Sequence, residues 1–348
     1  KLCLIQMALP GADGEAVLID PIVGEHMSLG PLYDLFAHKT TVKVFHAARQ
    51  DLEIFFVEGG AFPDPLFDTQ VAAMVCGYGE QVGYETLVKK IAKENIDKSS
   101  RFTDWSRRPL SDSQEAYALA DVTHLRDVYL SLAAQLEKNK RKQWVEEELS
   151  VLTDPATYTV TPDAAWKRVK TRTTSGRFLA LVKELARFRE HYAQSNNVPR
   201  SRVMKDDALL ELASTRPLNH DDLGRSRLLL REARRGDIAE GILAAVKSGL
   251  EMRADDMPKP DLSHENLQVN PALADLLRVL LKAKSDSLGV APKLIANASE
   301  LDAIAAGERD LSSLMGWRAE AFGDDAMRLC RGEIALSAKG HQVVVVTL

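Results

Sequence analysis

Val44-Phe45-His46-Ala47-Ala48-Arg49-Gln50-Asp51-Leu52 is the stretch whose reading decides the fold. An apolar, β-branched run gives way at residue 48 to helix-forming residues. A strand over Val42–Ala47 is therefore expected to feed a helix from Arg49 to Phe56. The strand brings the backbone to a sheet edge, and the first helical turn holds the Asp51 carboxylate there. Ligands commonly bind at such carboxyl ends of strands. Taken alone, Asp51 also fits an aspartate placed in a first turn for the helix dipole.

Upstream, Lys1–Met7 and Ala16–Asp20 are short apolar runs separated by Gly11-Ala12-Asp13-Gly14, a hairpin signal. Leu29–His38 has a helical pattern. Downstream, residues 68–148 look helical throughout, with segments at Asp68–Cys76, Tyr84–Glu94 and from Ser111 to near Lys138. Asp68 reads as a helix N-cap. Strands first and helices later suggest an α/β layer structure over residues 1–150. Residues 151–163, with Pro155, Pro162 and four threonines in Thr153–Asp163, read as a linker. Residues 164–250 form a helical block, and 251–270, with Pro258 and Pro260, form a second linker. Residues 271–348 form another block, helical to 335, with a short strand in the tail His341–Leu348. The two blocks share apolar spacing, as in Asp207-Ala208-Leu209-Leu210-Glu211-Leu212-Ala213 and Ser299-Glu300-Leu301-Asp302-Ala303-Ile304-Ala305. Their offset of roughly 92 residues is a domain length rather than a solenoid repeat.

The composition, 45% hydrophobic and 27% charged, is that of an ordinary globular protein. No apolar run approaches the ~20 residues of a membrane-spanning helix, and no signal peptide is evident. Cys3, Cys76 and Cys330 are odd in number and far apart, which argues against a disulfide framework or zinc site and fits a reducing cytoplasm. The chain begins inside an apolar run without an initiator Met, which reads as a cut edge. Charge is unevenly spread. Residues 1–150 carry 16 Lys/Arg against 23 Asp/Glu, and residues 163–250 carry 18 against 11. An acidic module beside a basic one suits an enzyme that holds cations in one part and phosphates in the other. Solvated helix faces that differ in charge explain the asymmetry equally well.

Tyr117 and Asp121, in Glu115-Ala116-Tyr117-Ala118-Leu119-Ala120-Asp121-Val122, are four residues apart and share a helix face. Between small and apolar neighbours, Asp121 can point into a site, where it would bind Mg²⁺ or Mn²⁺ as a hard oxygen ligand. A phenol one turn away can orient a water. A tyrosine packed on the core next to a surface aspartate has the same spacing.

Together with Phe67-Asp68-Thr69-Gln70, Gly83-Tyr84-Glu85-Thr86-Leu87, Asp104-Trp105-Ser106-Arg107-Arg108-Pro109-Leu110 and Gln114, these segments make the chain resemble bacterial ribonuclease D. That family belongs to the Tyr-containing branch of the DEDD exonucleases and carries HRDC domains after the nuclease domain. The resemblance implies an RNase H-like mixed sheet with helices, its first strand missing from this sequence, followed by two helical HRDC-like bundles. It also implies 3′→5′ trimming of tRNA precursors and other small structured RNAs, with release of nucleoside 5′-monophosphates. Two divalent ions ~4 Å apart would drive that hydrolysis. Asp51 and Asp121 match two of the four metal-binding carboxylates, and Tyr117 matches the water-orienting residue. The first motif, Asp-x-Glu, is not in the sequence, so slow turnover is expected. The alternative is a nucleic-acid-binding protein with a decayed nuclease domain. His46, Gln50, Trp105, Arg107 and Arg108 become candidates for the RNA channel. Arg200, Arg202 and Lys205, in the basic block, become candidates for phosphate contacts. A cytoplasmic monomer with no obligate protein partner is expected.

Overall fold

A computed structural model describes residues 2–9, 14–23, 27–97, 100, 103–171, 173, 175–259 and 268–348. In the first 158 residues, β1 (Ile5–Ala8) and β2 (Ala16–Ile19) pair antiparallel, with Ile5 opposite Ile19. Most of the expected Gly11–Gly14 turn lies outside the described residues. After α1 (Gly30–Ala37), β3 (Lys43–Phe45) leads into α2 (Arg49–Gly59), so the strand-to-helix switch falls where the sequence places it. β3 pairs parallel with β4 (Leu66–Asp68), where no strand was expected. Three residues running straight into α3 (Thr69–Val75) are too few to show a period of two. Phe36, Phe45 and Phe55 meet edge to face, Phe36 and Phe55 at 5.0 Å, and join Ile5 and Leu32 in one apolar cluster under both sheets.

The helical reading of 68–148 needs correction. α4 (Tyr84–Ile91), α5 (Asp112–Thr123), α6 (Leu125–Asn139) and α7 (Lys142–Leu152) are separated by irregular chain. Gly77 and Gly79 turn the backbone after α3 with φ of 81° and 112°, a region open to glycine. The expected helix from Ser111 to Lys138 is two helices meeting at His124. A reciprocal cap between Ser111 and Gln114 starts the first of them.

Thr159–Asn266 is a separate compact unit. It contains a 3-10 segment (Pro162–Arg168), α8 (Gly176–Ser195), α9 (Arg200–Val203), α10 (Asp206–Thr215), α11 (His220–Gly224) and α12 (Gly236–Glu251). Leu181, Leu185, Leu209, Leu212 and Ile242 form its core.

The rest of the chain has α13 (Pro271–Leu288), α14 (Pro292–Ile295), α15 (Ala298–Ala306), α16 (Gly316–Arg318), a π-helical turn (Ala319–Gly323) and α17 (Asp324–Cys330). It closes on a hairpin of β5 (Ile334–Lys339) and β6 (Gln342–Thr347). The strand expected at 341–348 is thus one arm of a pair, and residues 334 and 335, read as helix, belong to the other arm. This block belongs to the same compact unit as residues 1–158. Phe322, Trp317, Leu277 and Leu280 share one apolar core with Leu87, Val88, Val128 and Leu132. The Trp144 and Trp317 rings stack at 4.5 Å, the Trp317 indole donates to Glu148 at 2.8 Å, and Arg141 donates to the Leu288 carbonyl at 2.7 Å. Among the described residues, no helix is long and apolar enough to cross a membrane.

Candidate active site

The corner between β3 and α2 is built around Asp68, whose side chain is buried at 1% exposure. One carboxylate oxygen accepts from the Ala47 and Gln70 amides at 3.0 and 2.7 Å, and the other accepts from Ala48 at 2.8 Å. Asp68 therefore caps α3, as expected, and also fixes the start of α2. Ala47 sits in the left-handed region at φ 56°, which costs a non-glycine residue roughly 1–2 kcal/mol, and the Asp68 bonds hold it there. The Thr69 hydroxyl donates to the Phe45 carbonyl at 3.0 Å and lies 2.9 Å from Nδ1 of His46. The strand end is thereby locked, and Asp51 leaves it one turn into α2.

The Asp51 side chain is exposed on α2, although protein atoms crowd the space around its carboxyl. That desolvation first, and the Asp68 charge second, push its carboxyl up to about 6. Asp121, half-buried on α5, is also pushed up to about 6 by desolvation. Among the described residues neither makes an ion pair. Two desolvated carboxylates without a counter-charge favour any hard cation that reaches them. Among the described residues, no group of three or more His, Cys, Asp or Glu side chains is placed to hold a metal ion. Asp51 and Asp121 are therefore two candidate hard-oxygen ligands rather than a complete metal site among the described residues.

Tyr117 lies one turn before Asp121, with its ring 6.0 Å from that of Trp105. Tyr84 was not singled out from the sequence, yet it joins the two sides of the site. Its hydroxyl donates to the Ala120 carbonyl at 3.0 Å, one residue before Asp121, and its ring is 5.5 Å from that of His46. Desolvation, reinforced by the Asp121 charge, raises the Tyr84 phenol and keeps it a neutral donor. Burial lowers His46 despite the nearby Asp68 charge, so its imidazole is neutral at pH 7. Sequence spacing could reveal neither link, because Tyr84 is 36 residues from Ala120.

Gln50 is exposed at the start of α2 beside Asp51, Trp105 is half-buried, and Arg107 is exposed. Arg108, expected to face RNA, is occupied instead. It forms an ion pair with Asp20 and donates to the carbonyls of Cys3, Trp105 and Arg107 at 2.7, 2.8 and 2.7 Å. In the basic unit, the Arg200 guanidinium pairs with Glu190, a side chain only 2% exposed, while Arg202 and Lys205 are exposed.

A family model described as 3'-5' exonuclease matches residues 1–137, and one described as HRDC domain matches residues 178–246. A ribonuclease D from Jannaschia sp. is 62% identical over 99% of this chain and 90% of its own length. The chain belongs to the ribonuclease D family. A second relative, the ribonuclease D of Granulibacter bethesdensis, is 46% identical over 100% of the chain and 87% of its own length. The crystal structure of Escherichia coli RNase D, an exoribonuclease involved in structured RNA processing, shares the fold. It superposes with a TM-score of 0.76 at 24% identity, covering 95% of this chain and 92% of that one. The exonuclease match runs from β1 into α6 and takes in Asp51, Tyr117 and Asp121. The HRDC match runs from within α8 to within α12. The protein is a nuclease, and so a hydrolase.

Proposed function

We propose that the protein trims RNA from the 3′ end, acting on tRNA precursors and other small structured RNAs, with release of nucleoside 5′-monophosphates. One observation carries this reading: two carboxylates raised to about 6, with no ion pair among the described residues, lie within the 3'-5' exonuclease match of a chain of the ribonuclease D family. Asp51 and Asp121 would hold divalent metal, Mg²⁺ or Mn²⁺, which when bound supplies positive charge for the phosphoryl oxygens and a more acidic water. Tyr117 orients the attacking water from one helical turn away. Tyr84 holds the backbone before Asp121, and neutral His46, with exposed Gln50 and Arg107, lines the path of the strand. Retention of Asp51, Tyr117 and Asp121 together argues against a decayed nuclease domain.

In this reading the family resemblance implies two further carboxylates, in an Asp-x-Glu motif that these 348 residues do not contain. Residues 271–348 are read as a second HRDC-like bundle, because both blocks run long helix, four-residue helix and medium helix in the same order. A reducing compartment such as the cytoplasm fits the free cysteines.

Digestion of 3′-extended tRNA tests the reading. Protein that carries the Asp-x-Glu motif as well should trim it in the presence of Mg²⁺. Tyr117→Phe should trim roughly a hundredfold more slowly, within the range for a positioned proton-handling group. The 348 residues alone should be nearly inactive. Unimpaired trimming by Tyr117→Phe removes the tyrosine from the mechanism.

The basic unit is read as a phosphate guide. Reversing exposed Arg202 and Lys205 to Glu should weaken binding of all RNA sequences alike. Each lost phosphate contact should reduce the slope of log K against log salt by about 1. An unchanged slope in a salt titration assigns the unit a structural role.

A further inference from the structure

We propose that Arg108 is a positioning residue. With Asp20 as its counter-ion, it fixes the loop that sets the Trp105 ring against Tyr117, and Trp105 then packs on the terminal nucleotide. The nucleotide contact rests on the trimming function proposed above, whereas the clamp rests on geometry alone.

The loop Thr103–Leu110 has no regular secondary structure. Local bonds shape it: Asp104 accepts from the Ser106 amide and hydroxyl at 3.0 and 2.6 Å, and Gln114 of α5 donates to the Thr103 hydroxyl at 3.1 Å. None of these reaches the β1–β2 hairpin. Arg108 does, across 88 and 105 residues of sequence. Its guanidinium meets both Asp20 oxygens, one of them at 2.8 Å, and donates to the Cys3 carbonyl ahead of β1. From the same group, Nη1 donates back to the carbonyl of Trp105. Asp20 is fixed in turn, since it accepts from the Ile22 and Val23 amides at 3.0 and 3.3 Å beyond β2.

The pair is largely shielded, with side-chain exposures of 15% and 28%. A guanidinium whose donors are all directed at protein acceptors has little left for phosphate. Its planar fork suits holding a loop in one place. What it holds is the backbone of Trp105, an aromatic side chain that is half-buried and tilted 33° to the Tyr117 ring. An aromatic face beside the water-orienting phenol suits the base or sugar at the end of a single strand, whatever its sequence, because every base has a π-face.

A double-mutant cycle on binding tests this independently of catalysis. Fluorescein-labelled single-stranded RNA is titrated in EDTA, with anisotropy as the readout, against wild type, Trp105→Ala, Arg108→Gln, Asp20→Asn and the Trp105→Ala/Arg108→Gln double variant. Trp105→Ala should weaken binding roughly tenfold, in the range for one base stacked on an aromatic ring. Arg108→Gln and Asp20→Asn should each approach that loss, and the double variant should be no weaker than Trp105→Ala, because both changes act through one ring. Losses that multiply in the double variant overturn the proposal, since Arg108 then touches RNA or acts elsewhere. Undiminished binding by Arg108→Gln overturns it too. Thermal melting of each variant guards against global unfolding: a loss of binding that appears only with a large fall in Tm, and that persists without Trp105, counts against positioning. Full trimming by an Asp51→Asn variant would overturn the metal-site reading while leaving the outcome of this cycle intact.

Discussion

Asp51→Asn and Asp121→Asn should each lower the trimming rate of 3′-extended RNA by about a thousandfold, while the metal-free protein melts no earlier than wild type. The first half follows from charge. Each carboxylate is one of the few anionic groups available to hold a divalent ion, and loss of several kcal/mol of transition-state stabilisation corresponds to a factor of that order. The second half follows from the raised acidities. Desolvation pushes both carboxyls up to about 6 in the fold, above the ordinary aspartate value of about 3.9. A raised acid binds more protons folded than unfolded between those values, so stability falls as pH rises from about 4 to 6 and stays lowered above. The neutral amide removes that penalty. In EDTA at pH 8 the variants should therefore melt at the same temperature as wild type or higher. With Mg²⁺ added, wild type should gain stability at pH 8 more than at pH 5, and the variants should gain little. An Asp51→Asn protein that is slow only because it melts earlier would remove the metal-binding role.

Phe322→Ala should destabilise the nuclease body by about 3–5 kcal/mol, although Phe322 lies almost two hundred residues beyond the exonuclease match. That is the usual range for emptying a fully buried aromatic site, and Phe322 is 0% exposed within the core it shares with Leu87, Val128 and Leu132. Nuclease activity and the helical signal of residues 271–348 should be lost in one thermal transition. Two transitions, with activity surviving the first, would make the C-terminal block an independent module. The same packing changes how RNA binding by the helical half is tested. Deleting residues 163–348 as a whole removes part of the nuclease core along with the basic unit. Charge reversal at Arg202 and Lys205 leaves that core in place.

The sequence by itself determined the strand-to-helix switch at residue 48, the shared helix face of Tyr117 and Asp121, and the separation of a basic helical block. Each is a local pattern, readable because side-chain direction repeats every two residues in a strand and every 3.6 in a helix. Asp51 and Asp121 were identified from such patterns together with the family resemblance. Only the tertiary structure showed why both carboxyls are raised, by desolvation in each case and for Asp51 by the Asp68 charge as well. It made Asp68 a support for the α2 corner as well as a cap, and Tyr84 a tie to the residue before Asp121. It paired Arg108 with Asp20 in a largely shielded place, and Arg200 with Glu190 while leaving the Arg200 side chain exposed. It also placed residues 271–348 in the core of the nuclease body, where a repeat of helical spacing suggested a separate bundle. A residue's type fixes which bonds it can make, whereas its partners are chosen by which distant segments the packed core brings within 3 Å, and no local period records that choice.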